Sequence, residues 1–229
     1  MNRELLIFGA NGALGKGVTQ VLTKKDFNKI YLFGSKLDDL PETAIIEKIQ
    51  TKDLSIEKNV VDALSKLKTS KDSLFFLYST VGGYAGGKNL WETDVDEFDK
   101  MIDINFKSSF FIAKHFSRIV KESAGGSICF TAAYTGINPA KKKAAYNSSK
   151  AALIHLVKSL ALEGNEIRMT ANAVAPFTVD TPANRKWMPD SDYEKWIKPE
   201  EIGELVNSIF NNFNFITGNI ITLTDRFPV

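Results

Sequence analysis

The sequence predicts an α/β fold built on a doubly wound parallel sheet. Three observations carry this. Short apolar runs alternate with longer helical periodicities from one end of the chain to the other, the pattern of a sheet covered by helices on both faces. The strand-like runs are continuously apolar rather than alternating, as expected where neither sheet face meets water. Glycines at 9, 12 and 15 close the first run and open the first helical stretch. A chain of 229 residues fits one large domain, and residues 1–229 are read as such.

The elements follow in order. Residues 5–9 read as a strand and 14–24 as a helix; 30–33 is a strand and 56–67 a helix; 74–79 is a strand. Residues 95–122 form one long helical stretch and 127–131 a strand. A helix over 144–163, a strand over 169–175, a helix over 200–210 and a strand over 220–223 complete the alternation. Ligands of such sheets bind beyond the carboxyl ends of the strands. The loops at 9–15, 34–39, 80–93, 132–145 and 176–199 are therefore the ones to search.

Composition narrows the function classes. The formal charge of +2, from 29 basic and 27 acidic residues, is too balanced for a dedicated nucleic-acid binder. Cys129 is the only cysteine, so no intrachain disulfide forms. Two histidines are too few for a His-rich metal site, and no metal is expected. No apolar run approaches the ~20 residues of a membrane span. The start of the chain has an acid and a short apolar run, unlike a secretion signal. A cytoplasmic protein with no membrane and no nucleic-acid partner is expected.

The first loop carries the clearest chemistry. Gly9-Ala10-Asn11-Gly12-Ala13-Leu14-Gly15 follows a strand and opens a helix. Read from residue 10, it is the GxGxxG dinucleotide pattern with alanine at the first glycine. The turn must be tight, the backbone must approach a pyrophosphate closely, and a helix N-terminus must face the phosphates. Such a loop makes the fold Rossmann-like. An acid at the tip of the second strand would hold the ribose hydroxyls of NAD, whereas a basic residue there accommodates the 2′-phosphate of NADP. The tip is Phe33-Gly34-Ser35-Lys36. Ser35 and Lys36 therefore favour NADP, with NAD as the alternative.

Tyr146 and Lys150 lie four residues apart at the start of a helix, hence on one face. A phenol with its ordinary pKa near ~10 is a poor acid at neutral pH, and a neighbouring ammonium is expected to lower it. The pair reads as a tuned proton donor beside a cofactor.

These residues resemble the short-chain dehydrogenase/reductase family over essentially the whole chain. The glycine loop, Asn105, Tyr146-xxx-Lys150, Asn172-Ala173-Val174-Ala175-Pro176 and Thr181-Pro182 occur in the family's order, and Ile216-Thr217-Gly218 matches its turn before the last strand. The resemblance implies that Tyr146 is the general acid, that Lys150 holds the nicotinamide ribose and tunes Tyr146, and that Asn105 holds a water in a relay to Lys150. It implies further that Asp53 and Leu54 contact adenine and that Val179 and Thr181 touch the nicotinamide carboxamide. Val81, Gly82 and Pro176 complete the implied cofactor site. The loop Val81-Gly82-Gly83-Tyr84-Ala85-Gly86-Gly87 and the run from Asp180 to Pro189, with Asp192 and Trp196, are similar to the dihydropteridine reductase subgroup. The implied reaction is hydride transfer from NAD(P)H to a carbonyl or quinonoid-pterin-like small molecule. The family's helices at 95–122 and 144–163 imply a homodimer, with a homotetramer as the alternative. Residues 182–199 are the implied substrate loop, without clear structure of their own.

Departures from the family pattern bear on the chemistry. The usual catalytic serine is Ala133, a position at which dihydropteridine reductases also lack it; Thr131 or Thr135 is a candidate replacement. Ser79-Thr80-Val81-Gly82 replaces the family's Asn-Asn-Ala-Gly, and Phe177 stands where glycine follows Pro176. Dihydropteridine reductases carry an acid at the second strand's tip, which this chain lacks. The competing reading is a catalytically impaired NADP-binding sensor or scaffold. His115, His155 and Cys129 read as structural, and Lys141-Lys142-Lys143 as a solvated loop.

Overall fold

The computed structural model describes residues 1–227. Seven parallel strands lie in the order β3-β2-β1-β4-β5-β6-β7: β1 Asn2–Phe8, β2 Lys29–Gly34, β3 Ile46–Gln50, β4 Ser73–Ser79, β5 Gly125–Thr131, β6 Met169–Pro176 and β7 Ile220–Leu223. Strand order reverses between β1 and β4, so their carboxyl ends open a crevice. The apolar runs are buried on both faces as the sequence requires. Leu6 and Phe8 point into one core, with α2 (Glu57–Leu64), α4 (Ser108–Lys121) and α5 (Ala144–Glu163). Leu5 and Ile7 point into the other, with α1 (Ala13–Leu22) and α7 (Pro199–Asn211). Phe8 stacks on Phe33 across the β1–β2 pair at 4.1 Å.

Three features differ from the sequence reading. β3 is an additional edge strand. Its Ile46-Glu47-Lys48-Ile49-Gln50 offers only two apolar side chains, because an edge strand is covered on little of its surface. The long stretch at 95–122 is divided: α3 (Val95–Ile102) and α4 are joined by a π-helical turn, Asp103–Lys107. Residues 182–199 are not a featureless loop. They contain α6 (Pro182–Trp187), started by a proline and by Thr181, whose Oγ1 accepts the Asn184 amide, and a 3-10 turn at Tyr193–Lys195. Among the described residues no helix is long and apolar enough to cross a membrane.

Candidate active site

The glycine loop forms a cradle that its sequence demands. Gly9 has φ +77°, where any side chain would be strained. A Cβ on Gly15 would run into the Gly9 carbonyl, and one on Gly9 would meet Thr80 Oγ1 at 2.6 Å. The first helix therefore sits against the turn with no room for a side chain between them. Asn11, Gly12 and Ala13 lead into α1, whose Leu14 packs into the core beneath. A groove of about 360 Å³ runs beside this cradle, lined among others by Gly9, Asn11, Gly12, Ser35, Asp53, Leu54, Val81 and Gly82. It lies at the carboxyl ends of β1, β2 and β4, where strand order switches. Shape, backbone donors and position all fit a dinucleotide.

The tip of β2 is closed by a side chain from the glycine loop. A Cβ on Gly34 would collide with Asn11 Oδ1, and Asn11 Nδ2 donates to Ser35 Oγ at 3.3 Å. Asn11 thus takes the space beside the strand end. Lys36 does not line the groove, whereas Lys52 does. This departs from the expectation for Lys36, and it follows from β3, which carries residues 51–53 alongside the β2 tip. Asp53 Oδ1 accepts the Ser55 amide at 2.9 Å, and its carbonyl accepts Asn59 Nδ2 at 2.7 Å, fixing the turn into α2.

The π turn delivers Asn105 to the centre of the molecule, where it is fully buried. Its Oδ1 accepts the Gly83 amide at 2.9 Å; its Nδ2 donates to the Gly83 carbonyl at 3.0 Å and to Ser149 Oγ at 3.1 Å. The amide is a clamp joining the loop after β4 to α5. Its polar atoms are committed to protein partners, and its own carbonyl accepts Ser109 Oγ. A Cβ on Gly82 would stand 2.8 Å from Asn105 Oδ1 and 3.0 Å from Lys150 Nζ. Glycine at 82 therefore lets the backbone pass directly over both groups.

Tyr146 and Lys150 share the α5 face turned to this loop. Lys150 is buried and donates from Nζ to the Thr131 carbonyl at 2.9 Å. Burial lowers its pKa to about 8. Tyr146 departs from expectation: its pKa is raised to about 12, first by burial and then by the neighbouring Tyr84 phenol. The Lys150 ammonium faces Thr131, and desolvation of the phenol outweighs any help from it.

Ala133 is buried at the position of the missing hydroxyl. Neither threonine replaces it. Thr131 Oγ1 is taken by Tyr78 Oη at 2.8 Å and the Ser79 carbonyl at 3.0 Å. Thr135 Oγ1 is shut off from solvent with no partner. Tyr146 is thus the hydroxyl available from this set.

Sequence reasoning missed the wall facing Tyr146. Tyr84 meets the Tyr146 ring edge to face at 5.0 Å and Trp187 of α6 at 4.9 Å. Lys143 lies 5.3 Å above the Tyr84 ring, so the lysine run is only partly solvated. The Gly87 amide donates to the Lys142 carbonyl at 2.8 Å, docking the loop after β4 on the start of α5. The one available signal was the aromatic residue inside the glycine-rich run at 81–87. Val179, Thr181 and Pro176 follow β6 toward α6. Asn184 Nδ2 donates to the Val179 carbonyl, and Asp180 pairs with Arg185 at 2.6 Å. Arg185 lies over the Tyr193 ring, and Tyr193 packs on Trp196. Of the three loop aromatics, Trp187 reaches the site while Tyr193 and Trp196 hold the loop together.

His115 Nε2 lies 2.8 Å from Glu57, and Cys129 is buried with its thiol pKa pushed up to about 12. Among the described residues no group of three or more His, Cys, Asp or Glu is placed to hold a metal ion.

A family model described as short chain dehydrogenase matches residues 3–192. The chain is 28% identical over 206 residues to the dihydropteridine reductase of Dictyostelium discoideum, covering 89% of this chain and 86% of that one. It is 26% identical over 250 residues to a tropinone reductase homologue of Arabidopsis thaliana, covering 98% and 92%. Among solved structures, a short-chain type dehydrogenase/reductase from Mycobacterium ulcerans superposes with a TM-score of 0.84 at 18% identity, covering 98% and 89%. ElxO with NADP bound superposes with a TM-score of 0.83 at 23% identity, covering 98% of each chain.

Proposed function

Because the chain belongs to the short chain dehydrogenase family and is an oxidoreductase of that family, we propose that it reduces a flat, electron-poor small molecule of the quinonoid-pterin type, in preference to a simple ketone, using NADPH. The observation that carries this is that, of positions 131, 133, 135 and 146, Tyr146 alone offers an available hydroxyl. A plain ketone gains from two hydrogen bonds to its oxygen as charge develops, and one such donor is worth 10²–10³-fold. With alanine at 133, Thr131 committed and Thr135 enclosed, Tyr146 is left to polarise the substrate. A delocalised quinonoid ring accepts a hydride with less polarisation. The relative named dihydropteridine reductase, and the aromatic wall of Tyr84 and Trp187, support the same reading.

The dinucleotide supplies the hydride when bound. Gly9, Asn11, Gly12, Ala13, Leu14 and Gly15 would cradle its phosphates, Ser35 and the β2 tip its adenosine ribose, Asp53 and Leu54 its adenine. Val81, Gly82, Pro176, Val179 and Thr181 would border its nicotinamide end. Tyr146 holds the proton at Oη that the reduced substrate takes up, and burial keeps it protonated at neutral pH. Lys150 orients the ribose and reprotonates the phenol; its lowered pKa makes it a proton donor near neutrality. Asn105 is a positioning residue that fixes Gly82 and Gly83 over Lys150. Residues 182–199 act as the substrate loop. The ElxO neighbour binds NADP, and the absence of an acid at Gly34-Ser35 in this chain supports the same choice. Exposed Val95, Phe98 and Phe110 on α3 and α4 support a homodimer, and a cytoplasmic setting suits this chemistry.

The test is a comparison of quinonoid dihydropterin with simple ketones, followed as NADPH oxidation. The pterin should turn over at least ~10²-fold faster, the worth of one missing oxyanion donor. Equal or faster ketone reduction would sink the substrate assignment. Tight NADPH binding with no turnover on either class would favour the sensor or scaffold reading.

A further inference from the structure

We propose that Lys52, not Lys36, is the cation that receives the 2′-phosphate of the dinucleotide. This rests on the NADPH reading and adds the residue that makes the choice. The two lysines look alike in the sequence, and both are exposed. The fold separates them.

Lys52 follows β3 and lines the 360 Å³ groove together with Asn11, Ser35 and Thr51. Its position is fixed from both sides. The Thr51 amide donates to the Gly34 carbonyl at 2.8 Å, continuing the β2–β3 ladder past Gly34 and Gln50. Gln50 Nε2 donates to the Ser35 carbonyl at 3.1 Å. On the other side Asp53 is held by Ser55 and Asn59. Its carboxylate therefore engages the turn into α2. Among the described residues Lys52 makes no ion pair. It offers an uncommitted ammonium beside two neutral hydrogen-bonding groups, the Asn11 amide and the Ser35 hydroxyl.

Lys36 is likewise without an ion pair among the described residues, but its placement differs. It does not line the groove. The next residue, Leu37, turns into the core, and Asp38 and Asp39 follow at once. Those carboxylates oppose a phosphate in the same loop. The remaining nearby cation, Lys16, is already paired with Asp39 at 3.2 Å. A dianionic phosphate entering between Asn11, Ser35 and Thr51 would meet Lys52 first.

The experiment is calorimetric titration of the purified protein with adenosine 2′,5′-bisphosphate and with 5′-ADP, which need no turnover. The unmodified protein should bind the 2′-phosphorylated compound at least tenfold tighter. Lys52→Ala should remove most of that preference, weakening adenosine 2′,5′-bisphosphate by ten- to a hundredfold and leaving 5′-ADP within twofold. Lys52→Arg should retain it, and Lys36→Ala should change neither affinity by more than about threefold. Thermal unfolding of each variant checks the fold. A preference that survives Lys52→Ala, or that vanishes in Lys36→Ala, overturns this inference and leaves the NADPH reading standing. Equal affinities in the unmodified protein overturn both.

Discussion

The nucleotide side of the crevice and its substrate side are made of different materials. On the nucleotide side the working surface is backbone. Gly9, Gly15, Gly34 and Gly82 are places where a Cβ would strike a neighbouring main chain or a functional side chain. On the substrate side the surface is made of side chains brought from three separate stretches: Tyr84, Lys143 with Tyr146, and Trp187. A backbone surface is specified locally, by which residues are absent. A side-chain surface is specified only when the whole fold has assembled. The first should respond to added atoms and the second to removed ones.

The largest effect should come from removing one oxygen on the substrate side. Tyr146→Phe is expected to lower turnover by 10²–10⁴-fold, the usual worth of a general acid. Nucleotide affinity should stay within about twofold, because the phenyl ring left at 146 still packs on Tyr84. Steady-state rates paired with a binding titration check this. A parallel loss of nucleotide affinity would show that the two sides do not separate.

Lys150 sits on the border between them, and its effect is next in size. Burial depresses its pKa to about 8 from an ordinary value of 10.5. A lysine so shifted costs stability wherever it is charged in the folded state. The cost is full below pH 8 and is relieved as pH rises toward 10.5. Lys150 alone should therefore contribute a gain of about 2 kcal/mol in unfolding free energy between pH 7.5 and 9.5, read as the difference between the unmodified protein and Lys150→Met. Lys150→Met should flatten this rise and lower turnover as well. The buried Cys129 thiol acts in the opposite direction within this window, and Tyr146 does so from about pH 10, but both do so equally in the variant and leave the difference to Lys150. Denaturant titrations at both pH values measure the slope, and an unchanged slope in Lys150→Met would assign the titration elsewhere.

The smallest effect tests the backbone side. Gly15→Ala adds one methyl against the Gly9 carbonyl. Such overpacking costs about 1–3 kcal/mol, read as a lower unfolding midpoint. Nucleotide affinity should fall with it, because the Gly9 turn and the start of α1 must part to make room. Retention of both would mean that the cradle yields easily and that rigidity is not its role.

The same division explains what the sequence made legible. The parallel sheet was readable because Leu5-Leu6-Ile7-Phe8 and Phe75 to Tyr78 are buried on both faces, leaving no polar alternation to mislead. The cradle was readable because its glycines are a local pattern. β3 was not, since two isoleucines in five residues are all that an edge strand needs. With β3 unseen, the place of Lys52 beside the β2 tip was unseen too. Tyr84 and Trp187 lie about a hundred residues apart, and no spacing rule links them. The pKa of Tyr146 was read in the wrong direction for a related reason. The i, i+4 spacing to Lys150 was visible, but the depth of burial and the turn of the ammonium to Thr131 are properties of the assembled core.

The π turn at Asp103–Lys107 sets the phase of the helix that follows it. Each residue of an α-helix turns the chain by about 100°, so an added residue within one turn offsets the faces on either side of it by roughly that angle. Asn105 reaches Gly83 and Ser149 from this offset. Phe98 before it and Phe110 after it are both exposed. Removing a single residue here would leave α3 and α4 helical yet rotate one against the other. Asn105 would lose the glycine loop, and Phe98 would turn relative to Phe110. Active centre and outer surface are thus geared to one another through chain length. A one-residue deletion would disengage both at once, in a way that no substitution in either helix could imitate.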